Sequence, residues 1–163
     1  MTGFEQAMRA TALCTMALLL VVPPVAAEGP KPLSITPDVA HKAHRLVLQV
    51  NSNEPATMNL ALNNATNVEQ YYKERGEKVE IEVVTFGPGL HMLRDDTSPV
   101  RDRIKAIAEK TTSISFKACG NTQENMGRVE NKAVQLLAQA QLVKSGVVRV
   151  MELQEQGWIY VRP

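Results

Sequence analysis

Short runs rich in β-branched residues and leucine alternate along this chain with longer segments whose apolar residues recur at helical spacing. Five of the short runs predict strands, over residues 45–50, 79–86, 113–118, 141–143 and 158–162. Because each connection is long enough to hold a helix, the strands are expected to lie parallel, with helices on both faces. The pattern therefore predicts an α/β fold built on a mostly parallel sheet of about five strands.

The connection between the third and fourth predicted strands carries two helical patterns. The first is predicted to be capped by Asn121 or Thr122 and interrupted at Gly127, and the second runs over residues 133–137. The connections after the first and second strands each carry one main helical pattern. In the last connection, residues 147–156 fit a strand or a helix, and Ser145 as cap and Gly157 as stop favour the helix. In such sheets ligands collect at the carboxyl ends of the strands. Here those ends are residues 51–53, 87–89 and 119–121.

The pattern of the first 27 residues predicts a leader that is not part of the folded domain. A polar start ends at Arg9, an uncharged apolar run covers residues 10–22, and small residues precede Glu28. We expect a signal peptide over residues 1–27 with cleavage after Ala27, and hence a periplasmic protein; the alternative is an uncleaved anchor. Residues 28–43 contain three prolines and no apolar period, which predicts a linker or arm, and residues 44–163 form the domain.

Composition excludes several classes of function. Of the 163 residues, 44% are hydrophobic and 21% charged, which is typical of a globular domain and not of a disordered chain. Aromatic residues make up only 4%, too few for a platform that stacks single-stranded nucleic acid. A net charge of +1 provides no excess of positive charge to bind a polyanion. We therefore expect no nucleic-acid partner, and no membrane contact after the leader is removed.

Cysteine usage singles out one thiol. The chain has two cysteines, and leader cleavage would remove Cys14 and leave Cys119. An exported protein with a single cysteine has no internal disulfide, so the thiol is buried and inert, paired between chains, or reactive.

The position of Cys119 is one where a thiol can be reactive. It follows a predicted central strand where a helix begins, and the positive end of a helix lowers a thiol pKa. Gly120 permits close approach of a substrate, and Lys117 lies on the same strand face as Cys119. Against this, a cysteine after a strand often only packs in the core.

Histidines add one candidate and no metal site. His91 follows a neighbouring strand end. It would form a Cys–His pair with Cys119 if the two lie close together; otherwise it is a surface histidine. His41 and His44 lack a nearby third ligand, so we expect no metal. The chain has no Gly-x-Gly-x-x-Gly after its first strand, no Walker loop, no Cys-x-x-Cys and no Gly-x-Ser-x-Gly, and no cofactor is expected.

Four stretches of the chain together resemble the DsrE/DsrF-like family, the sulfur-relay group. They are LALNNATN (60–67), VEIEVVTFGPGLHML (79–93), SFKACGNT (115–122) and SGVVRVMELQEQGWIYVRP (145–163). More narrowly, the chain is similar to the exported single-domain members. The resemblance implies a flavodoxin-like sheet, a homo-oligomer (commonly a trimer or hexamer), and a Cys119 that accepts sulfur as a persulfide. The well-studied relatives are cytoplasmic, so their sulfur donors and acceptors do not transfer to an exported chain.

These observations lead to one main expectation and two alternatives. The main expectation is a periplasmic sulfur carrier in which Cys119 holds sulfane sulfur, Asn121, Thr122 and backbone N–H groups position the anion, and His91 and Lys117 assist. Its partners would be sulfur donor and acceptor proteins. The first alternative is a non-catalytic oligomeric module that binds a small anion and keeps Cys119 as packing. The second is a thiol-stress sensor that pairs Cys119 between chains.

Overall fold

The computed structural model describes residues 43–163, which form one parallel sheet flanked by helices. The strands are β1 (His44–Val50), β2 (Val79–Thr85), β3 (Ile114–Cys119), β4 (Ala140–Val143) and β5 (Ile159–Val161). The helices are α1 (Pro55–Glu74), α2 (Arg101–Lys110), α3 (Gly120–Glu130) and α4 (Gly146–Glu155), with a 3-10 helix over Gly87–Leu93. The predicted leader and residues 28–42 of the predicted arm lie outside the described residues. Within residues 43–163, no helix has the length and hydropathy to cross a bilayer.

The strand order is β4-β3-β2-β1-β5, and all four neighbouring pairs are parallel. From β1 to β4 each connection steps to the next strand in one direction, so right-handed crossovers place α1, α2 and α3 on one face. The last connection returns across the sheet to β5, which places α4 on the other face. This doubly wound arrangement confirms the predicted flavodoxin-like α/β fold, although β5 beside β1 gives an order different from flavodoxin itself.

Two apolar cores of unequal size hold the layers together. The larger lies between the sheet and the face that carries α1 and α2. There Met58, Ala61, Leu62 and Ala65 follow helical spacing and are fully buried. The smaller lies under α4 and consists of Val47, Val84, Val150, Leu153 and Trp158. Helix α4 is therefore packed on the sheet by a small apolar core only, and its N-terminus lies beside the carboxyl end of β3.

The start of α3 differs from the prediction. Neither Asn121 nor Thr122 caps it: the helix begins at Gly120, and Cys119 is both the last residue of β3 and the N-cap. Thr122 lies in the first turn of the helix, and its hydroxyl accepts a hydrogen bond from the Gly87 N–H at 3.0 Å. The predicted break at Gly127 is also wrong. That residue lies inside the helix, and its carbonyl accepts the N–H of Lys132 at 3.1 Å, which closes the final turn.

The second helical piece predicted over residues 133–137 does not form. Helix α3 ends at Glu130, and the C-cap residue Asn131, whose φ of 49° is left-handed, turns the chain away from the helix axis. The chain then runs extended beside the end of the 3-10 helix, where the Leu137 N–H donates to the Leu93 carbonyl at 2.9 Å. The apolar residues of this segment are buried in extended form, so their helical spacing did not indicate a helix.

A buried arginine ties the chain that follows the 3-10 helix to the end of α3. The Arg94 side chain is 1% exposed and forms ion pairs with Asp96 and Glu130, while Lys132 contacts both carboxylates. Hydrogen bonding to Arg94 holds the pKa of Asp96 well below its usual range and lowers that of Glu130 to about 2. We call Arg94, Asp96, Glu130 and Lys132 the arginine clasp. It fixes the last turn of α3, whose first turn carries the Cys119 site.

Candidate functional site

The topology brings Cys119 to the point where the winding of the sheet reverses. Strands β3 and β4 are neighbours, with Cys119 opposite Val143. Helix α3 leaves β3 toward one face, whereas α4 leaves β4 toward the other. A crevice opens between two such diverging connections, and this is where ligands bind in open α/β sheets. Cys119 therefore lies between the N-termini of α3 and α4.

The Cys119 side chain is buried rather than exposed to solvent. It is 4% exposed and faces Gly146, the first residue of α4. A Cβ atom built on Gly146 would lie 3.2 Å from the Cβ of Cys119 and 2.8 Å from the Cδ1 of Phe86. Only glycine lets the N-terminus of α4 come this close to the cysteine. Gly120 plays a similar part on the other side, because a Cβ there would lie 3.2 Å from the Val143 carbonyl oxygen.

The surroundings of the sulfur favour its charged form. Burial alone would raise the pKa of the Cys119 thiol. Hydrogen bonding to the Thr122 hydroxyl, and to the backbone N–H groups of Gly146, Thr122 and Asn121, outweighs burial and lowers the pKa below its ordinary value. These backbone groups belong to the first turns of α3 and α4. A thiolate here is stabilised by the N-terminal ends of two helices.

The Thr122 hydroxyl is oriented by a second hydrogen bond. Its oxygen accepts the Gly87 N–H at 3.0 Å, which comes from the loop after β2. Since that oxygen accepts from the backbone, its own proton is available to donate toward the sulfur. The loops that follow β2, β3 and β4 therefore all contribute to the environment of Cys119.

Two depressions meet at Asn121. One, of about 530 Å³, is lined by His91, Thr122, Asn125 and neighbouring residues; we call it the His91 cavity. The other, of about 540 Å³, is lined by Lys144, Arg149 and residues of the β4–α4 junction; we call it the Arg149 cavity. Asn121 lines both cavities. Cys119 itself lines neither of these two cavities, so they approach the cysteine only as far as Asn121 and Thr122.

Most residues predicted for the site come together, and one does not. Cys119, Gly120, Asn121 and Thr122 are consecutive at the crevice, and His91 shares a cavity with Asn121 and Thr122. The Nδ1 atom of His91 is 2.8 Å from the Thr97 hydroxyl. Lys117 lies on the face of β3 that α4 covers.

Lys117 is held away from the sulfur by its own partners. Its ammonium contacts the amide oxygen of Gln141 and lies 3.9 Å from the carboxylate of Glu82. Glu82 is buried and accepts two hydrogen bonds from Arg149, at 2.6 and 2.9 Å. The Lys117 charge is therefore used to balance a buried carboxylate at the middle of the sheet.

Sequence reasoning missed Gly146 and Arg149 as site residues. Gly146 was assigned only to the start of a helix, and no local signal links it to Cys119. The link arises because β4 pairs with β3 in parallel, which aligns the Ser145–Gly146 junction with the Cys119–Gly120 junction. Within residues 43–163, no three histidine, cysteine or acidic side chains are close enough to hold a metal ion.

Fold and site together define a flavodoxin-like α/β protein with a cysteine at the switch point of its sheet. No protein-family model matches the chain, and no curated protein matches it. Among solved structures, the chain is similar to MTH1491, a protein of unknown function from Methanobacterium thermoautotrophicum. The two are 28% identical with a TM-score of 0.62, and the match covers 74% of this chain and 99% of the other. The match supports the fold of the domain and carries no activity with it.

Thr122→Val tests the hydroxyl next to the sulfur. Valine keeps the shape but cannot donate to Cys119 or accept from Gly87. We expect alkylation of Cys119 at neutral pH to slow about three- to tenfold, because the thiolate loses one hydrogen bond from a hydroxyl donor and the pKa of Cys119 rises. Thr122→Ser, which retains the hydroxyl, should keep the parent rate. Equal rates in the valine and serine variants would show that the hydroxyl does not act on the sulfur.

Gly146→Ala tests the close approach of α4. The added methyl group would overlap Phe86 and press on Cys119, so we expect a loss of about 1–3 kcal/mol in the free energy of unfolding. Alkylation of Cys119 should also slow, because the N–H of residue 146 moves away from the sulfur. Ser145→Ala is the matched control, since the Ser145 side chain makes no capping hydrogen bond. Urea unfolding and alkylation rates measure both effects; a Gly146→Ala variant that matches this control would contradict the packing described.

Proposed function

We propose that this chain is a sulfur carrier of the DsrE type, exported to the periplasm, that accepts sulfane sulfur on Cys119 as a persulfide. One observation carries the proposal: the Cys119 sulfur lies at the N-terminal ends of two helices, and donors around it lower its pKa although the side chain is buried. A core cysteine in an apolar setting has its pKa raised instead. The resemblance of SFKACGNT to the sulfur-relay group supports the same conclusion.

The loading step is a nucleophilic displacement at sulfur. The Cys119 thiolate attacks the terminal sulfur of a persulfide or polysulfide donor and forms a new S–S bond. The donor's own S–S bond breaks, and the electron pair leaves with the donor thiolate. No oxidant or reductant is consumed, because sulfane sulfur moves from one thiolate to another. The product is a Cys119 persulfide anion.

The groups that hold the thiolate would also serve the persulfide. The N–H groups of Thr122 and Gly146 and the Thr122 hydroxyl would stabilise negative charge on either sulfur. The Asn121 N–H would contribute less, because it donates to the Lys144 carbonyl at 3.1 Å. Gly120 and Gly146 keep side chains out of the space beside Cys119. His91, on the wall of the His91 cavity, would protonate or deprotonate the incoming thiol. The Lys117 ammonium would influence Cys119 only indirectly, through its contact with Glu82 and the pairing of Glu82 with Arg149.

Localisation and partners belong to the same proposal. A signal peptide cleaved after Ala27 would deliver residues 28–163 to the periplasm, where a donor and an acceptor protein would meet the carrier. A homo-oligomer, a trimer or a hexamer, follows from the resemblance. A carrier acts as a stoichiometric relay, so turnover by this chain alone is not required.

The experiment that tests the proposal is sulfur loading followed by release. Purified protein is incubated with polysulfide and its intact mass is measured, and the loaded protein is then mixed with a small thiol acceptor. We expect the mass to rise by one or more sulfur atoms at Cys119 and to return to its starting value after the acceptor is added. Failure to gain sulfur under conditions that load free cysteine would contradict the proposal.

A second candidate function is favoured by the low exposure of Cys119. At 4% exposed, the side chain is accessible only if the crevice opens, and Lys144 on the wall of the Arg149 cavity provides a cation for a small anion. Arg149 itself is paired with the buried Glu82. On this account the chain is a non-catalytic oligomeric binding module and Cys119 only packs. Its thiol would then resist alkylation until the domain unfolds, and isothermal titration would detect anion binding that Lys144→Gln removes.

A further inference from the structure

The first turn of α4 (residues 146–149) brings a backbone N–H group to the cysteine sulfur, yet its apolar side chains do not anchor it. Val147 and Val148 in this turn are 53% and 46% exposed. The buried apolar side chains of the helix in the small core, Val150 and Leu153, follow in later turns. The first turn is therefore held in place mainly by contacts of another kind.

An ion pair with the sheet supplies such a contact. The Arg149 N–H donates to the Ser145 carbonyl at 3.0 Å, which closes the first turn of the helix. The Arg149 guanidinium donates to both carboxylate oxygens of Glu82, at 2.6 and 2.9 Å. A guanidinium that donates two hydrogen bonds to one carboxylate fixes orientation as well as distance. The first turn of α4 is therefore tied to one point on β2.

Glu82 occupies a position where a carboxylate is costly. It lies on β2, the central strand of the sheet, opposite Val47 of β1 and Ser115 of β3. The residue is 6% exposed, and it shares a strand face with Val84 of the small core under α4. An apolar residue here would extend that core, and replacing a buried ion pair by apolar packing often costs no stability. The pair therefore supplies orientation more than stability.

The charges that surround Glu82 balance one another. The Lys117 ammonium, from β3, lies 3.9 Å from the Glu82 carboxylate. Glu152, from α4, lies 3.9 Å from the Arg149 guanidinium. Two positive and two negative side chains leave a small net field at a distance. The groups that lower the pKa of Cys119 are a hydroxyl and backbone N–H groups, so the position of α4 matters more to the sulfur than these charges do.

We propose that Glu82 is a positioning residue for Cys119. Through Arg149 it holds the first turn of α4, so that the Gly146 N–H stays aimed at the sulfur. The helix approaches closely at this point, because a Cβ atom on Gly146 would lie 3.2 Å from the Cβ of Cys119. This role rests on the proposed function in one respect, since a sulfur carrier needs Cys119 as a thiolate. Glu82 would set how readily that thiolate forms.

Titration of the thiolate by its ultraviolet absorbance tests the proposal on the full-length protein. The method requires neither a sulfur donor nor access to the thiol. Each variant is compared with the same variant carrying Cys119→Ser, so the difference isolates Cys119 from the tyrosines and from any other thiol. Glu82→Gln keeps the shape of the side chain but loses its charge and one acceptor oxygen.

We expect the acid dissociation constant of Cys119 to fall about three- to tenfold in Glu82→Gln, because the thiolate loses an aligned N–H donor. A direct effect of charge predicts the opposite sign, since removing a negative charge lowers the pKa of a neighbouring thiol. The direction of the change therefore decides between positioning and electrostatics. A dissociation constant in Glu82→Gln that equals or exceeds the parent value would overturn the proposal.

Two further variants separate orientation from charge and from folding. Glu152→Gln makes the same chemical change on the exposed partner of Arg149 and should leave the Cys119 titration at the parent value. Arg149→Lys keeps a positive charge beside the buried carboxylate but loses the paired hydrogen bonds. It should lower the dissociation constant as Glu82→Gln does, and it serves if Glu82→Gln does not fold. A parent-like titration of Arg149→Lys would overturn the proposal.

Sulfur loading, measured separately, distinguishes failure of this role from failure of the carrier function. If the parent gains sulfur while Glu82→Gln and Arg149→Lys titrate like the parent, the carrier function stands and the positioning role of Glu82 fails. If both variants shift as expected and the parent gains no sulfur, the positioning role stands and the carrier function fails.

Discussion

Cys119→Ser is expected to abolish sulfur loading and to leave the domain folded. The mass gain seen with polysulfide depends on a thiolate, and serine supplies only a hydroxyl that stays protonated near neutral pH. The stability of the variant has a specific physical reason. Cys119 is the N-cap residue of α3, and serine is among the residues that prefer this position. We expect the free energy of unfolding to stay within about 1 kcal/mol of the parent value.

Intact mass after polysulfide treatment, together with urea unfolding, checks this prediction. Peptide mapping assigns any residual gain, because a retained leader would carry a second thiol at Cys14. The parent protein and Cys119→Ser should differ in loading only. If the serine variant gained as much sulfur as the parent on residues 28–163, the carrier proposal would fail. If it unfolded, the sulfur atom itself would be a structural element of the crevice.

Arg94→Met is expected to cause the largest loss of stability among the substitutions considered. Arg94 is 1% exposed and holds Asp96 and Glu130, which are 38% and 31% exposed. Removing a charge from a buried pair costs more than removing one from a surface pair, but these carboxylates remain partly hydrated. We therefore expect a loss of about 2–3 kcal/mol in the free energy of unfolding at neutral pH, measured in urea. Arg101→Met is the control, since Arg101 is 47% exposed and its pair with Asp95 is longer, at 3.5 Å.

The acid dependence of the arginine clasp gives a second signature. In the folded protein, hydrogen bonding to Arg94 lowers the pKa of Glu130 to about 2 and holds that of Asp96 well below its usual range. Groups with a lowered folded pKa contribute stability above their unfolded pKa, about 4, and lose it as the pH falls toward the folded value. The parent should thus lose stability steeply between about pH 4.5 and 2. Arg94→Met should have a shallower slope in that window; an unchanged slope would show that the clasp does not hold these carboxylates.

The sheet and most of its helices were predictable because their signals are local. Each strand is a short apolar run, and α1 carries apolar residues at helical spacing over its whole length. The sequence also indicated that Cys119 ends a strand, which was enough to place it at the ligand-binding edge. Local signals failed between α3 and β4, where the apolar residues at 134 and 137 pack in extended form.

The rest of the site depends on contacts that a single sequence does not display. Gly146 follows Cys119 by 27 positions in the numbering, and parallel pairing of β3 with β4 brings them together. The orientation of the Thr122 hydroxyl depends on Gly87, in a loop after another strand. Lys117 illustrates the opposite error: strand alternation gave its face correctly, but the buried Glu82 on β2 determines what it contacts.

The rate of alkylation of Cys119 in the native protein, measured as a function of pH, tests the central claim most directly. The account predicts reaction without unfolding, with a midpoint below the ordinary cysteine pKa of about 8.5, because two helix N-termini and the Thr122 hydroxyl stabilise the thiolate. The midpoint should rise in Thr122→Val. A thiol that stays unreactive until urea unfolds the domain, or a midpoint above the ordinary value, would contradict the account and leave Cys119 as a packing residue.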